Sequence, residues 1–306
     1  MTDSENKKYH QYSQLLKEKF GCKVYKVTLD AGFSCPNRDG TLSCHGCIFC
    51  EEGGSFSRAQ DSAWPVSKQL EVGINKLKNR FKAKKFISYF QAYSNTYDDV
   101  DVLESIYDQA LKHDDVVGLS IATRPDCIDI SKVKLIQNYT PSFYVWLEYG
   151  LQTIHNKTLK LINRGYLNDS FVEAYELTRK YGPNIKICAH VILGLPGETK
   201  QDMIETAKTI NQLGIDGVKI HLLCVLKNTS LEKIYLNGDF VPLNQNEYVN
   251  IVCDFIEYLS PSITIHRIAG NGLKKILVAP TWLSKKFEIL NQIDNELERR
   301  NSFQGA

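Results

Sequence analysis

The sequence contains no hydrophobic run long enough to cross a membrane. No segment approaches about 18 uncharged apolar residues, and the stretch from Met1 to Lys8 is polar rather than signal-like. Neither sign of charge dominates, because the formal net charge is only +2. This balance neither requires nor excludes a nucleic-acid partner. We therefore expect a cytoplasmic protein without a membrane-embedded part.

Internal repeats and low-complexity linkers are also missing. The 306 residues, 43% of them hydrophobic, can form one large core or a core with an extension. The nine cysteines do not indicate disulfides, because a reducing cytosol keeps thiols free for metal binding or packing. We divide the chain into a leading helical segment (1–20), one main domain (21–269) and a C-terminal extension (270–306).

Four of the nine cysteines fall within sixteen residues, from Cys35 to Cys50. Their spacing is C-x8-C-x2-C-x2-C. Thiolates packed this densely select zinc, copper(I) or an iron–sulfur cluster. A zinc ribbon or finger separates its ligands into two pairs a dozen or more residues apart, and no second pair follows here. The pattern therefore favours an iron–sulfur cluster over structural zinc.

The spacers between the cysteines indicate which thiols bind. The spacer between Cys47 and Cys50 is apolar and includes Phe49, so it can exclude water from a cluster. The spacer that follows Cys44 is polar and flexible. We predict Cys35, Cys47 and Cys50 as the ligands, with Cys44 either spare or a fourth ligand. Three ligands to a four-iron cluster would leave one iron free to hold a small molecule.

Strand-like and helix-like segments alternate along the chain. The expected strands are 24–29, 86–91, 116–122, 143–149, 185–193, 217–225 and 263–268, and the expected helices are 66–81, 100–112, 131–137, 156–161, 170–181, 200–213 and 246–259. Repeated strand–helix units predict a parallel sheet with helices outside it. Six or seven such units indicate an α/β fold, an open or partial (β/α) barrel.

The cysteine loop resembles the cluster loop of radical S-adenosylmethionine (SAM) enzymes. The common spacing in that superfamily is C-x3-C-x2-C. The C-x11-C-x2-C of this chain is similar to a bacterial branch related to the radical SAM domain of the Elongator catalytic subunit, with the same Cys-Pro-Asn-Arg-Asp-Gly-Thr opening. The resemblance runs from about Tyr9 to the 290s and includes the segments 90–97, 123–126, 150–152, 162–165, 193–198 and 266–268. It implies a partial barrel of six units.

The resemblance also implies cofactors and a reaction. Three cysteines would hold a 4Fe–4S cluster, whose fourth iron would chelate the amino and carboxylate groups of SAM. Reductive cleavage of SAM would then yield a 5′-deoxyadenosyl radical, with the electron supplied by a donor such as flavodoxin or ferredoxin. The kinship to Elongator suggests tRNA as the substrate. One related Gram-positive branch is linked to the wobble uridine, converting 5-carboxymethylaminomethyl-2-thiouridine to 5-aminomethyl-2-thiouridine.

Alternation within the strands predicts which polar side chains face the barrel interior. These residues are Glu148, His190, Lys219 and His221, and His266 of the last strand could join them. Arg124, in the loop after the third strand, could pair with a carboxylate. Buried polar groups are costly unless they are paired or hydrated. A convergent set of them favours an active site over a structural network. The candidate catalytic residues are Glu148, His190, His221, Lys219 and Arg124.

The loops that follow the strands should bind the cofactor, because active sites of parallel barrels lie at the carboxyl ends of the strands. By resemblance, the SAM amino group would meet the loop after the second strand. By the same resemblance, the turn from Gly194 to Glu198 would border adenine, and its glycines permit close backbone approach. The predicted cofactor-binding residues are Phe49, Gln91, Ser94, Asn95, Glu148, Gln152, Gly194 and Pro196.

Basic and aromatic residues on or near the same mouth could bind a nucleic acid. The candidates for phosphate contacts are Arg38, Arg58, Arg124, Arg164, Lys227, Lys274 and Lys275. The candidates for stacking a flipped base are Phe56, Tyr93, Tyr97 and Tyr166. Two other classes stay open: a radical SAM enzyme that acts on a small metabolite, and a non-enzymatic redox sensor that binds zinc or a cluster.

Overall fold

Seven parallel strands form the central sheet of the protein. The computed structural model describes residues 7–51, 63–270 and 275–306. The strands of the sheet lie in the order β1-β2-β3-β4-β5-β6-β8, and a separate antiparallel pair is formed by β7 and β9. Their bounds are β1 (Val24–Leu29), β2 (Lys85–Phe90), β3 (Val116–Thr123), β4 (Tyr144–Gln152), β5 (Lys186–Leu193), β6 (Gly217–Leu222), β7 (Val225–Leu226), β8 (Thr264–Arg267) and β9 (Leu277–Ala279).

Helices connect most of these strands and pack against the sheet. They are α1 (Tyr12–Phe20), α2 (Val66–Phe81), α3 (Val100–Leu111), α4 (Ile130–Asn138), α5 (Asn156–Leu161), α6 (Asn168–Tyr181), α7 (Lys200–Leu213), α8 (Ser230–Leu236), α9 (Gln245–Glu257) and α10 (Lys286–Arg299). Within the three described ranges, no helix combines the length and the apolar character that a membrane span requires.

Helix α7 illustrates how local sequence sets these elements. Thr199 and Asp202 form a capping box, in which each side chain accepts a hydrogen bond from the other residue's backbone N–H. At the other end, Gly214 has a positive φ of 64° and ends the helix. Between these caps, the side chains that face the sheet are Met203, Ile204, Thr206, Ala207 and Ile210, all of them buried. The ends of α7 and the position of its apolar face therefore agree with the sequence pattern.

The sheet is strongly curved, which is why the fold is a partial barrel. In a flat sheet, β1 and β4 would lie about 14 Å apart, at about 4.8 Å per strand. The Nζ atom of Lys26 on β1 nevertheless lies 2.6 Å from Oε1 of Glu148 on β4. The predicted α/β partial barrel is therefore confirmed.

Helix α1 covers the amino-terminal opening of the barrel. The ring of Tyr12 stacks on His266, with 3.9 Å between ring centroids, and meets the edge of Trp146 at 5.5 Å. Gln11 also forms a parallel bridge with Ile265 on the edge strand β8. His266 therefore lies inside the barrel as predicted, but it is packed at the covered end and does not line the cavity described below.

Two strands carry an extra residue near their carboxyl ends. On β4, Gly150 pairs with His190 while Gln152 pairs with the next residue, Val191. On β8, the partner of Val218 is Ile265 and that of Lys219 is Arg267, which leaves His266 as the additional residue. Such bulges re-aim side chains and are frequent beside active sites.

Several predicted boundaries needed correction. The sixth strand ends at Leu222 rather than Val225, because Val225–Leu226 leave the sheet to pair with Leu277–Ala279. The fourth extends past Tyr149 to Gln152, since its bulge prolongs the pairing with β5. Helices α8 and α10 were not predicted. The division of the chain at residues 20 and 269 stays a prediction.

Candidate active site

A large cavity lies at the carboxyl ends of the parallel strands. Its empty space, counted out to the open mouth, is about 1440 Å³. The predicted residues on its wall are Cys35, Cys47, Phe49, Cys50, Gln91, Ser94, Arg124, Glu148, Gln152, His190, Lys219 and His221. The curvature of the sheet therefore brings together most of the predicted site.

Three of the four clustered cysteines face this cavity. Cys35, Cys47 and Cys50 line the wall, and Cys47 is buried. Cys44 is exposed to solvent and is not on the wall. A ligand role for Cys44 therefore finds no support in the geometry, whereas the other three thiols share one enclosed space.

The Asn163–Gly165 segment holds the cysteine loop in place. The Asn37 side-chain amide donates to the Asn163 backbone carbonyl at 2.6 Å, and the Asn163 amide donates to the Gly46 carbonyl at 2.7 Å. Gly165 has a positive φ of 81°, and a Cβ atom there would lie 2.8 Å from the Asn37 side-chain oxygen. The glycine is therefore required both by the backbone conformation and by the close approach of the loop.

Guanidinium groups surround the cysteine thiols. The Arg164 Nη1 atom donates toward Cys47 Sγ at 3.4 Å, and Arg124 Nη1 donates toward Cys35 Sγ at 3.8 Å. The Arg124 guanidinium also forms two hydrogen bonds to the Asp126 carboxylate, at 2.9 and 2.7 Å. Arg124 therefore does pair with a carboxylate, that of Asp126, which leaves its guanidinium less available to an acidic substrate.

Ionisation of the Cys50 thiol is unfavourable unless arginine side chains lie nearby. Burial first and the neighbouring Cys47 second raise the pKa of Cys50 to about 11, and Arg38 opposes this rise. Metal ligation requires the thiolate form. The neighbouring arginines therefore stabilise the negative charge that a bound cluster would place at these sulfur atoms.

The donor set fits a cluster better than a single zinc ion. Zinc–sulfur bonds of about 2.3 Å in a tetrahedral site place the sulfur atoms about 3.8 Å apart. Among the described residues, the three loop thiols do not form a group whose sulfur atoms all lie within 4.8 Å of one another. Ser94 adds a buried hydroxyl on the same wall, a ready contact for a polar group of a cofactor.

Glu148 is the centre of the polar network in the barrel interior. Its side chain is fully buried. The carboxylate accepts hydrogen bonds from Lys26 at 2.6 Å, Ser120 at 2.5 Å and His190 at 2.7 Å, and it pairs with Lys219. The charge of Glu148 is thus fully compensated inside the protein.

The ionisation states in this network follow from burial and neighbouring charge. Burial alone would raise the pKa of Glu148, but Lys219, Lys26 and His190 outweigh it and hold that pKa well below the usual value. Burial and then Lys219 lower the pKa of His190 to about 4. Burial, opposed by Glu148, lowers the pKa of Lys219 to about 8. Near neutral pH, His190 is therefore neutral and Lys219 is close to its titration point, as expected of an acid–base group.

Several predicted residues do not reach the cavity wall. The Asn95 amide donates to the carbonyls of Ala92 and Ala122, at 2.9 and 2.7 Å, so it stabilises the loop. Of the described residues, neither Gly194 nor Pro196 lines the cavity, although Ile192 nearby does. Their predicted contact with adenine therefore stays a prediction.

One of the predicted base-stacking residues is enclosed by other parts of the protein. Tyr166 is buried, and its ring centroid lies 4.7 Å from the guanidinium carbons of both Arg124 and Arg164. Because these cations already cover its ring, Tyr166 is not free to stack a flipped base. The proposed contacts at Phe56, Arg58 and Lys274 fall outside the described residues.

Four residues of the site were not predicted as part of it. Lys26, Tyr89 and Ser120 join the network through Glu148 or Lys219, and Arg267 lines the cavity. Lys26 alternates with the buried Val27 and Leu29 along β1, so the alternation used for the later strands could have identified it. No such signal exists for Arg267, because the bulge at His266 changes the alternation.

Comparisons with known proteins agree with this geometry. Residues 41–210 match the family model of the Radical SAM superfamily, and residues 215–299 match that of the Radical_SAM C-terminal domain. YtqA of Bacillus subtilis is 43% identical over 299 residues, covering 98% of this chain and 92% of YtqA. MJ0486 of Methanocaldococcus jannaschii is 39% identical over 308 residues, covering 99% and 93%. The chain belongs to the radical SAM superfamily. It is therefore an enzyme of the class that uses a 4Fe–4S cluster and SAM.

More distant matches extend the comparison. The solved structure of archaeal Methanocaldococcus infernus Elp3 superposes with a TM-score of 0.69 at 16% identity, covering 92% of this chain. The chain spans only 64% of that structure. The tRNA uridine(34) acetyltransferase of Dehalococcoides mccartyi is 26% identical over 155 residues, which is 50% of this chain and 33% of that protein.

Proposed function

We propose that this enzyme modifies the wobble uridine of tRNA, converting 5-carboxymethylaminomethyl-(2-thio)uridine to 5-aminomethyl-(2-thio)uridine. The observation that carries this proposal is that the three loop cysteines and the polar barrel interior share one cavity. A radical formed beside the cysteines can therefore act on a substituent of the uridine base that is held among charged groups. The name of the distant relative, a tRNA uridine(34) acetyltransferase, supports the same nucleoside position.

The protein's part in the reaction is to hold the reactants in place. Cys35, Cys47 and Cys50 would hold the cluster, while Ser94 and Gln152 on the same wall would contact SAM. The bound cofactors supply the 5′-deoxyadenosyl radical that abstracts hydrogen from the substrate. An electron donor such as flavodoxin or ferredoxin completes the proposed system.

Lys219 is the best-suited proton carrier in the barrel interior. Its ammonium group contacts both Glu148 and the hydroxyl of Tyr89, the latter at 2.8 Å. With a pKa of about 8, it can donate a proton near neutral pH and take it back at little cost. We assign it the proton delivered to the amine nitrogen that stays on the uridine when the carbon–nitrogen bond breaks. His190 and Glu148 would position the ammonium rather than exchange protons themselves.

The proposed reaction balances with water as the second reactant. The bond between the amine nitrogen and the methylene carbon of the carboxymethyl group breaks. That carbon is oxidised by two electrons to an aldehyde, so the two-carbon unit leaves as glyoxylate. The same two electrons reduce SAM to methionine and 5′-deoxyadenosine. The amine remains on the uridine and is protonated.

Anaerobic turnover tests this proposal. The reconstituted enzyme, a chemical reductant, SAM and tRNA carrying the carboxymethylaminomethyl group should yield aminomethyl nucleoside, 5′-deoxyadenosine and glyoxylate in equal amounts. A Cys47→Ala variant should yield none of them. If 5′-deoxyadenosine forms while the tRNA nucleosides stay unchanged, the tRNA proposal is wrong and a small-metabolite substrate becomes the leading alternative.

A further inference from the structure

Arg267 enters the cavity because of the bulge on β8. Regular alternation would place Arg267 and His266 on opposite faces of the strand. With His266 as the extra residue, Arg267 pairs in register with Lys219 and both line the cavity. A Cβ atom at Gly270 would lie 2.6 Å from the Arg267 Nη2 atom. Glycine at that position therefore leaves the space that the guanidinium occupies.

The Arg267 guanidinium has no acidic partner in the part of the chain that the structure describes. Its hydrogen bond to protein runs from Nε to the Ala269 carbonyl, at 3.2 Å. Glu148 is the acid on the cavity wall, and its two oxygens are already occupied by Lys26, Lys219 and their neighbours. A half-buried guanidinium of this kind can still bind a carboxylate with two parallel hydrogen bonds.

The surroundings of Arg267 also favour an anion. His221 lies on the same wall, and its buried Nε2 atom has no hydrogen-bond partner among the residues that the structure describes. Lys286 is close enough that its pKa is lowered, first by burial and then by the Arg267 charge. With His190 and His221 neutral, the charged groups around Arg267 in the described part of the chain are Lys26, Lys219 and Lys286 against the acid Glu148. An anionic ligand would therefore reduce an excess of positive charge.

We propose that Arg267 and His221 form a subsite that binds the carboxylate of the substrate's carboxymethyl group. This inference rests on the proposed function, and it assigns the specificity to residues other than Arg124. The carboxylate fits better than a tRNA phosphate because the base substituent must enter the cavity to meet the radical. The ribose–phosphate backbone can stay at the mouth. Binding at Arg267 would hold the adjacent methylene group at a defined place in the cavity.

The test measures binding of two nucleosides that carry no phosphate. 5-Carboxymethylaminomethyluridine and 5-aminomethyluridine are titrated into the reconstituted enzyme with SAM, without reductant, by isothermal titration calorimetry. Wild type should bind the carboxylate-bearing nucleoside at least tenfold more tightly. Arg267→Gln should abolish this preference, and Arg267→Lys should keep part of it. Arg80→Gln is the control, since it removes the same charge at an exposed position on α2, outside the cavity wall.

The same variants separate this inference from the proposed function. If wild type converts the tRNA but Arg267→Gln keeps the full preference for the carboxylate, the subsite is wrong and the function stands. If both tRNAs, with and without the carboxymethyl group, lose affinity equally in Arg267→Gln, the residue binds phosphate instead. If no tRNA is converted, the calorimetric titration still tests the subsite. A preference for the carboxylate-bearing nucleoside that is lost only in Arg267→Gln supports the subsite. The absence of that preference in wild type overturns the subsite.

Discussion

The Nη1 atom of Arg164 lies 3.4 Å from the Sγ atom of Cys47 on the wall of the active-site cavity. The same guanidinium donates through Nε to the hydroxyl of Tyr166 at 2.6 Å. The arginine is therefore held against the thiol by a second contact. Hydrogen bonds to the sulfur ligands of an iron–sulfur cluster influence its reduction potential. This contact therefore links the Asn163–Gly165 segment to the electron-transfer step.

Replacing Arg164 should lower the reduction potential of the bound cluster. Arg164→Gln removes a charged donor that stabilises the more negative, reduced state. We expect a lower midpoint potential in an EPR-monitored titration and about a 10–100-fold slower SAM cleavage. Arg164→Lys keeps the charge but loses the planar guanidinium, so its midpoint potential should lie between those of wild type and Arg164→Gln. A potential unchanged in Arg164→Gln would show that the contact does not tune the cluster.

Cys44 should be dispensable for cluster binding. It is exposed and lies off the cavity wall, so Cys44→Ala should keep the wild-type content of iron and sulfide after anaerobic reconstitution. Cys35→Ala, Cys47→Ala and Cys50→Ala should each lose most of it. Loss of iron in Cys44→Ala, at unchanged folding, would make Cys44 a ligand.

Removing the Glu148 carboxylate should strongly destabilise the protein. Glu148→Gln leaves the ammonium groups of Lys26 and Lys219 in the barrel interior without an anion, and breaking a buried ion pair costs about 3–5 kcal/mol. The free energy of unfolding from urea titration should fall by that amount. Glu148→Gln combined with Lys219→Met should be more stable than Glu148→Gln alone, because one uncompensated charge is removed. If the double variant is the less stable, charge imbalance is not the cause.

Acid should destabilise the protein from about pH 6.5 downward. The pKa of His190 is about 4 in the folded state and about 6.5 in the unfolded chain. Between about pH 6.5 and pH 4, the unfolded chain therefore binds one more proton than the folded protein, which stabilises the unfolded state relative to the folded one. Between pH 7.5 and 5, His190 alone accounts for a loss of about 2 kcal/mol in the free energy of unfolding. Burial also holds the pKa values of His221 and His266 well below the usual value. Both therefore add to the same trend.

Urea titrations at the two pH values check this. Between pH 7.5 and pH 5, the free energy of unfolding of His190→Gln should fall by about 2 kcal/mol less than that of wild type. At pH 7.5 the variant will be less stable than wild type, because it loses the hydrogen bond to Glu148. An equal loss of stability on acidification in both proteins would mean that His190 is not held neutral in the folded state.

Much of the site could be predicted because it depends on local pattern. The period of two along β4, β5 and β6 sets which side chains face inward, so Glu148, His190, Lys219 and His221 were identified from the sequence. The same reasoning failed at β8, where one additional residue turns Arg267 into the cavity. Register is decided by the neighbouring strand, and a sequence read one strand at a time does not contain it.

The sequence by itself determined the class of this protein. Four closely spaced cysteines on one loop and six or seven strand–helix units predict a cluster-binding barrel, because ligand spacing and residue period act over short stretches of chain. Only the tertiary structure decided which side chains contact each other. These pairs are Arg124 with Asp126, Arg164 with Cys47, and Lys26 with Glu148 across the curved sheet. The last two pairs join residues 117 and 122 positions apart in the chain, so these partners and their charge states depend on how the barrel closes.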